Sequence, residues 1–180
     1  FDLEKLDWVN WQWRKKKFEA LPGDTGDKLI EVTKEFLPKE WISDTAFLKR
    51  ALITVEEKIL QKPELVKDYI CFYFKDSFSV DPMIIANEKM KVDLEIAKKA
   101  LTETLATLEN FDDFEQEALK EKLIALVAQL GLKNGQVLWP TRVALTGEAF
   151  SPGVFEVAWA LGKEKTLKRL REAISTLKNS

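Results

Sequence analysis

Apolar residues recur along this chain at three- and four-residue intervals, and sustained two-residue alternation is scarce. That spacing confines the fold to helices. Leu3, Leu6, Val9 and Trp13 share one face of a predicted helix over about 3–18. Leu21-Pro22-Gly23-Asp24 breaks it, and Asp24 or Thr25 caps a second helix carrying Leu29, Val32 and Phe36 and ending before Pro38. Asp44 opens a third, with Phe47, Leu48, Ala51, Leu52, Val55 and Ile59 inward. Pro63 suits the first turn of a fourth, reaching about Phe74. After a polar turn from Lys75 to Asp81, Asp81-Pro82 starts a long predicted helix to about Leu108, with Leu94, Ala97, Leu101, Leu105 and Leu108 inward. Asp112 begins the next, with Leu119, Leu123, Leu126, Val127 and Leu130 on its face and Gly131 past its end. Short helices near 134–145 and 152–161 follow, and Leu167, Leu170, Ile174 and Leu177 define the last. The expected architecture is all-α, two consecutive helical bundles dividing near residue 80.

Composition removes several classes of chemistry. Hydrophobic residues make up 46% of the 180, enough for a packed core and too many for disorder. No apolar run approaches the roughly 20 residues of a membrane span, and the single Cys71 can form no disulfide within the chain, which fits a reducing compartment. With no histidine, a zinc site and Ser-His-Asp or Cys-His chemistry are not expected. No Gly-rich phosphate loop is present, and no pair of acidic residues has catalytic spacing. The first residues do not form a signal peptide and lack an initiator Met, so the chain reads as a segment of something longer. The net charge of −2 leaves nucleic-acid contact to local patches.

One segment stands out among these helices. Leu138 to Gly147, followed by Ser151-Pro152-Gly153-Val154-Phe155-Glu156, reads as a helix, a Gly-bearing turn and a second helix opening on Ser-Pro. That arrangement sets the planar guanidinium of Arg142 near the backbone donors of a helix start, and both suit an anionic or hydrogen-bonding partner such as the edges of unstacked bases. The same pattern also makes a purely structural corner. Arg14-Lys15-Lys16-Lys17 reads as a solvated helix end or a phosphate contact. The cluster Lys163, Lys165, Lys168, Arg169 and Arg171 reads as an ordinary charged face. Trp8, Trp11 and Trp13 cannot all lie on one buried stripe, so one is expected at an interface with a neighbouring domain, with base stacking as the alternative.

Three stretches carry a family resemblance. Phe1-Asp2-Leu3-Glu4-Lys5-Leu6-Asp7-Trp8-Val9-Asn10 looks like the segment after a K-M-S-K-S/R loop. Leu130-Gly131-Leu132-Lys133-Asn134-Gly135-Gln136-Val137 looks like an E-L-G-x-K-x-G-x-V element. Trp139-Pro140-Thr141-Arg142-Val143-Ala144-Leu145-Thr146-Gly147, with Ser151 to Glu156 and Leu161-Gly162-Lys163-Glu164, looks like a terminal W-P-x-R-x-A-L-T-G…S-P-G-x-F-E…L-G-K-E/D signature. Together they resemble the C-terminal, anticodon-binding region of bacterial-type glutamyl-tRNA synthetase, a class I aminoacyl-tRNA synthetase.

The resemblance implies a stem-contact remnant at 1–22, an anticodon-binding helical subdomain at 23–80 and a second at 81–180. It implies that Arg142, Ser151, Pro152 and Val154 contact anticodon bases, and that Lys58 falls where relatives can place an arginine for the first anticodon base. Lysine lacks the bidentate fork of arginine. Ile124 falls where some relatives have a basic contact residue, and Trp11 stands where a glycine is common. The implied partners are the glutamate tRNA, with the glutamine tRNA as a second candidate, and a catalytic domain preceding this segment. The catalytic motifs are not in this sequence, so the fragment is expected to be inactive alone and to hold no cofactor, while the whole enzyme would use ATP and magnesium to join glutamate to tRNA. A helical protein-interaction module using the Trp-rich first helix is the alternative reading, and a self-contained enzyme is disfavoured.

Overall fold

The computed structural model describes residues 3–77 and 79–178. Phe1 and Asp2 of the first motif, the side chain expected from Leu3 on the first helix face, and Phe78 in the expected polar turn lie outside the described residues. The described residues are helical with no strand, and Asn87 and Val92 form an isolated antiparallel bridge. The chain divides into two compact units between Phe74 and Lys75.

In the first unit, α1 (Leu3–Glu19) packs on α4 (Glu56–Gln61), and α2 (Thr25–Thr33) packs on α3 (Thr45–Ile53). Asp24 caps α2 by accepting the Asp27 N–H at 2.8 Å, and Asp44 caps α3 through the Phe47 N–H at 3.0 Å. A 3-10 turn over Pro63–Leu65 leads into α5 (Val66–Ile70) and a further 3-10 turn over Cys71–Phe74. Trp41 stacks on Phe74 with ring centroids 4.2 Å apart.

Three expectations for this unit change. The second helix stops at Thr33, so Phe36 is exposed and Leu37 fills the core position. The third breaks at Val55 (φ −128°) into α3 and α4, yet Val55 and Ile59 stay buried because both segments keep facing one core. The apolar face expected on α1 is largely open, with Leu6, Trp8, Val9 and Trp13 exposed and Phe18 buried at the far end. Only the C-terminal part of α1 meets other helices of the unit closely enough to exclude water from a whole ring.

In the second unit, α6 (Pro82–Ile85), α7 (Leu94–Glu109), α8 (Gln116–Leu130), α9 (Asn134–Thr146) and α10 (Val154–Lys178) enclose a core in which α7, α9 and α10 pack on one another. The long helix expected from Pro82 to Leu108 is two helices. Asn87 Oδ1 accepts the Met90 N–H at 3.0 Å and Asp93 Oδ1 accepts the Ile96 N–H at 2.8 Å, so short polar side chains substitute for helical bonds and restart the helix at Leu94. Likewise α8 begins at Gln116 rather than Asp112, because Asp113 Oδ1 turns the chain by accepting the Glu115 N–H at 3.1 Å.

The corner before α9 explains the second motif. Gly131 ends α8 with its N–H on Ala128 O, and Leu132 N–H reaches back to Val127 O. Gln136 Oε1 then accepts the Lys133 N–H at 3.0 Å, and Val137 is fully buried. Gly162 interrupts α10 at φ 74° and ψ 172°, a conformation that side chains with a Cβ rarely adopt. The break lets the two halves of α10 bury different stripes: Val154, Val157 and Leu161 before it, Leu170, Ala173 and Leu177 after it.

Candidate nucleic-acid interface

The second unit brings Arg142, Ser151, Pro152 and Val154 together at the junction of α9 and α10. Helix α9 ends at Thr146, and Gly147 closes it in the left-handed region at φ 72°, with its N–H on Val143 O at 2.8 Å. Thr146 Oγ1 donates to Arg142 O at 2.9 Å and accepts the Glu148 N–H at 3.1 Å, which turns the chain outward. At the other end of the loop Gly153 O accepts the Val157 N–H at 3.0 Å, and Glu156 Oε2 reaches back to the Gly153 N–H at 2.5 Å. That reciprocal pairing consumes a donor that a free helix start would offer.

Arg142 spans this loop from within. Its Nη2 donates to Ala149 O at 2.9 Å and its Nη1 to Ser151 O at 3.2 Å. The guanidinium lies over the Trp139 ring, Cζ 4.8 Å from the centroid. The Trp139 N–H in turn donates to Ile84 O and Ile85 O at 3.3 and 3.2 Å. Burial lowers the Arg142 pKa from its ordinary value. A guanidinium has five donors, so two are committed to the loop and others remain for a partner.

The other expected residues differ in what they present. Ser151 and Pro152 are half-buried, and the Ser151 hydroxyl donates to Pro152 O at 3.1 Å while keeping its acceptor lone pairs. Val154 has 5% exposure, so the residue belongs to the core at the start of α10. Lys58 belongs to the first unit, exposed on α4 with its Nζ 5.7 Å from the Tyr69 ring centroid. Ile124 is exposed on α8 and offers no charge.

The basic clusters are not simple solvated faces. Arg14 donates to Gln61 O, and Lys15 and Lys17 lie over the rings of Trp11 and Trp13 at 5.6 and 5.1 Å. Arg169 corrects the reading of the last helix as an ordinary charged face, since it is 4% exposed and donates to Leu145 O at 2.5 Å and Lys75 O at 2.9 Å. Its spacing of three from Thr166 and four to Ala173, both buried, was the available signal. Lys168, Arg171 and Lys163 hold Asp76 O, Glu109 and Asp112.

Sequence reasoning also passed over Phe150. It lies between Ala149 and Ser151, the two residues Arg142 holds, and is 92% exposed. No periodic pattern covers a seven-residue loop, so only its place next to Ser151 marked it.

The family described as the anticodon binding domain matches residues 28–174. A glutamate–tRNA ligase of Clostridium botulinum is 35% identical over 180 residues, spanning 99% of this chain and 35% of that protein. A glutamate–tRNA ligase of Thermodesulfovibrio yellowstonii is 36% identical over 181 residues, spanning 97% of this chain and 36% of that protein. The chain therefore spans about a third of the length of the curated relatives it matches. A crystal structure of a glutamate tRNA ligase from Elizabethkingia meningosepticum superposes with a TM-score of 0.72 at 23% identity, covering 98% of this chain and 33% of that one, which speaks to the fold. The chain belongs to the anticodon binding domain family, and the relatives it matches along nearly its whole length are glutamate–tRNA ligases.

Proposed function

We propose that this chain recognises the anticodon of a glutamate tRNA as the RNA-reading part of a glutamate–tRNA ligase. The observation that carries the reading is Arg142, held over the Trp139 ring and bonded to the carbonyls of Ala149 and Ser151 beside the start of α10 in an anticodon binding domain. An oriented guanidinium can meet a base edge with paired donors, and the Ser151 hydroxyl and the first turn of α10 add further polar groups. Lys58 would contribute a point charge towards the first anticodon base. Phosphate contacts from surface lysines would position the RNA without reading it.

The remaining part of such a ligase would supply the chemistry, and we assign the exposed Leu6, Trp8, Val9 and Trp13 of α1 to contact with it. ATP and magnesium belong to that part. Among the described residues no cluster of three or more metal-ligating groups exists, and the sequence has no Gly-rich phosphate loop. No described helix is long and apolar enough to cross a membrane. Acting on a tRNA, the chain would work in the cytoplasm.

The test is binding of the chain to a glutamate tRNA transcript, to one with a changed central anticodon base, and to a glutamine tRNA. Preference for the glutamate anticodon is expected, with Arg142→Ala removing about 1–3 kcal/mol of it. Equal binding to every transcript would reduce the chain to a phosphate-holding surface. Recovery of protein partners with no RNA would favour a helical interaction module instead.

A further inference from the structure

The loop entering α10 holds an aromatic ring in water. Phe150 is 92% exposed, more open than Trp8, Trp13 or Met83. Its backbone is nevertheless tied on both sides, because the carbonyls of Ala149 and Ser151 accept from the same guanidinium at 2.9 and 3.2 Å. That guanidinium is itself fixed on Trp139. The Phe150 backbone is therefore held between the two carbonyls that Arg142 grips.

We infer that Phe150 is a stacking platform for one unpaired nucleobase of the RNA loop that Arg142 reads, an inference that rests on the anticodon-reading function proposed above. A ring face offers dispersion and π contact to any base. The alternatives fit less well. A phosphate would meet a loop whose residues 147–153 include Glu148 and no lysine or arginine. Glu148 has Lys75 Nζ at 3.8 Å, and Glu156 is spent on the Gly153 N–H, so neither carboxylate strongly repels a neutral ring. A protein partner needs a broad apolar patch, whereas the residues flanking Phe150 are Glu148, Ala149, Ser151 and Pro152.

Stacking is tolerant of base identity, so the two residues divide the work. Phe150 supplies affinity, and Arg142 supplies the preference for one base. The test uses an RNA hairpin with the glutamate anticodon loop, the same hairpin with a changed central base, and a fluorescent adenine analogue placed in turn at each loop position. Phe150→Ala is expected to weaken binding to both hairpins by the same factor, about tenfold. It should leave the ratio between them and the salt slope unchanged, and abolish the emission change of the analogue at one position. Phe150→Trp should restore affinity and Phe150→Leu should not. The variants are exposed substitutions, so their melting should match that of the parent.

Phe150→Ala binding both hairpins like the parent, while Arg142→Ala loses the preference, would remove the stacking role and leave the anticodon reading standing. A changed ratio with Phe150→Ala would mean that the ring shapes the loop rather than meets a base, which also overturns the inference. A parent chain that binds neither hairpin would overturn the anticodon reading itself.

Discussion

Arg142 and Trp139 sit three residues apart on α9, and the guanidinium of one lies 4.8 Å from the ring centroid of the other. Helical spacing puts both on one face. What holds the ring is more distant, since the Trp139 N–H is bonded to the carbonyls of Ile84 and Ile85 at the end of α6. A helix with no proposed RNA contact thus orients the residue proposed to read the base. Trp139→Phe keeps a ring under Arg142 and loses the N–H bond, so it should cost about 1 kcal/mol in urea unfolding and retain the anticodon preference. Trp139→Leu removes the π face, and its preference in competition binding should fall to that of Arg142→Ala with the salt slope unaltered. A Trp139→Leu variant that discriminates like the parent would show that Arg142 needs no platform.

Arg169 joins three parts of the second unit, because α10 carries it, the Leu145 carbonyl it holds lies in the last turn of α9, and the unit begins at the Lys75 carbonyl it also holds. Replacing it leaves the buried Leu145 carbonyl without its charged donor. Arg169→Met should destabilise the chain by about 3 kcal/mol, measured by urea unfolding followed by circular dichroism. A variant with the parental midpoint would mean that water replaces the guanidinium at no loss.

The first unit should show an acid-sensitive cap. The Asp27 N–H, and then Lys49, hold the Asp24 carboxyl below its ordinary pKa. A carboxyl depressed on folding contributes stability that is present above its unfolded pKa, about 3.9, and is lost as pH falls through the lower folded value. Melting temperature should therefore fall as pH drops below about 4. Asp24→Asn, which still caps but carries no charge, should flatten that part of the profile. An identical acid limb in Asp24→Asn would assign the loss to other carboxyls.

The open face of α1 predicts a contrast within one helix. Trp8→Ser and Trp13→Ser should each change the stability of the isolated chain by less than about 0.5 kcal/mol, as for other exposed sites. Phe18→Ala, at 7% exposure, should cost about 3 kcal/mol. Thermal melting of the three variants decides it. A large loss in Trp8→Ser would show that this face is covered in the isolated chain.

Much of the helical register was readable. Leu119, Leu123, Leu126 and Val127 are buried on α8 at the positions their spacing predicts, and Gly131 ends that helix where a left-handed residue was expected. The helix starts were less readable. Asp93 and Asn87 bond to local N–H groups and split a segment whose apolar period continues across them. Periodicity reports which side of a helix is apolar, but not whether a side-chain oxygen will replace a backbone one. The same limit applied to α1, whose apolar residues mark a face without saying that its neighbours in the unit would leave it open.

By itself the sequence determined the all-α class, the apolar stripes and the signature at residues 139–156, because each depends on residues within a turn or two of one another. Tertiary structure decided what that signature presents. Val154 turned into the core, Phe150 turned out to solvent, and Arg142 was drawn onto two carbonyls of its own loop. Arg169 entered the core to bond Lys75 O, 94 residues away along the chain. Buried donors and acceptors must be paired wherever the fold leaves them, and partners so distant in sequence are set by packing and not by spacing.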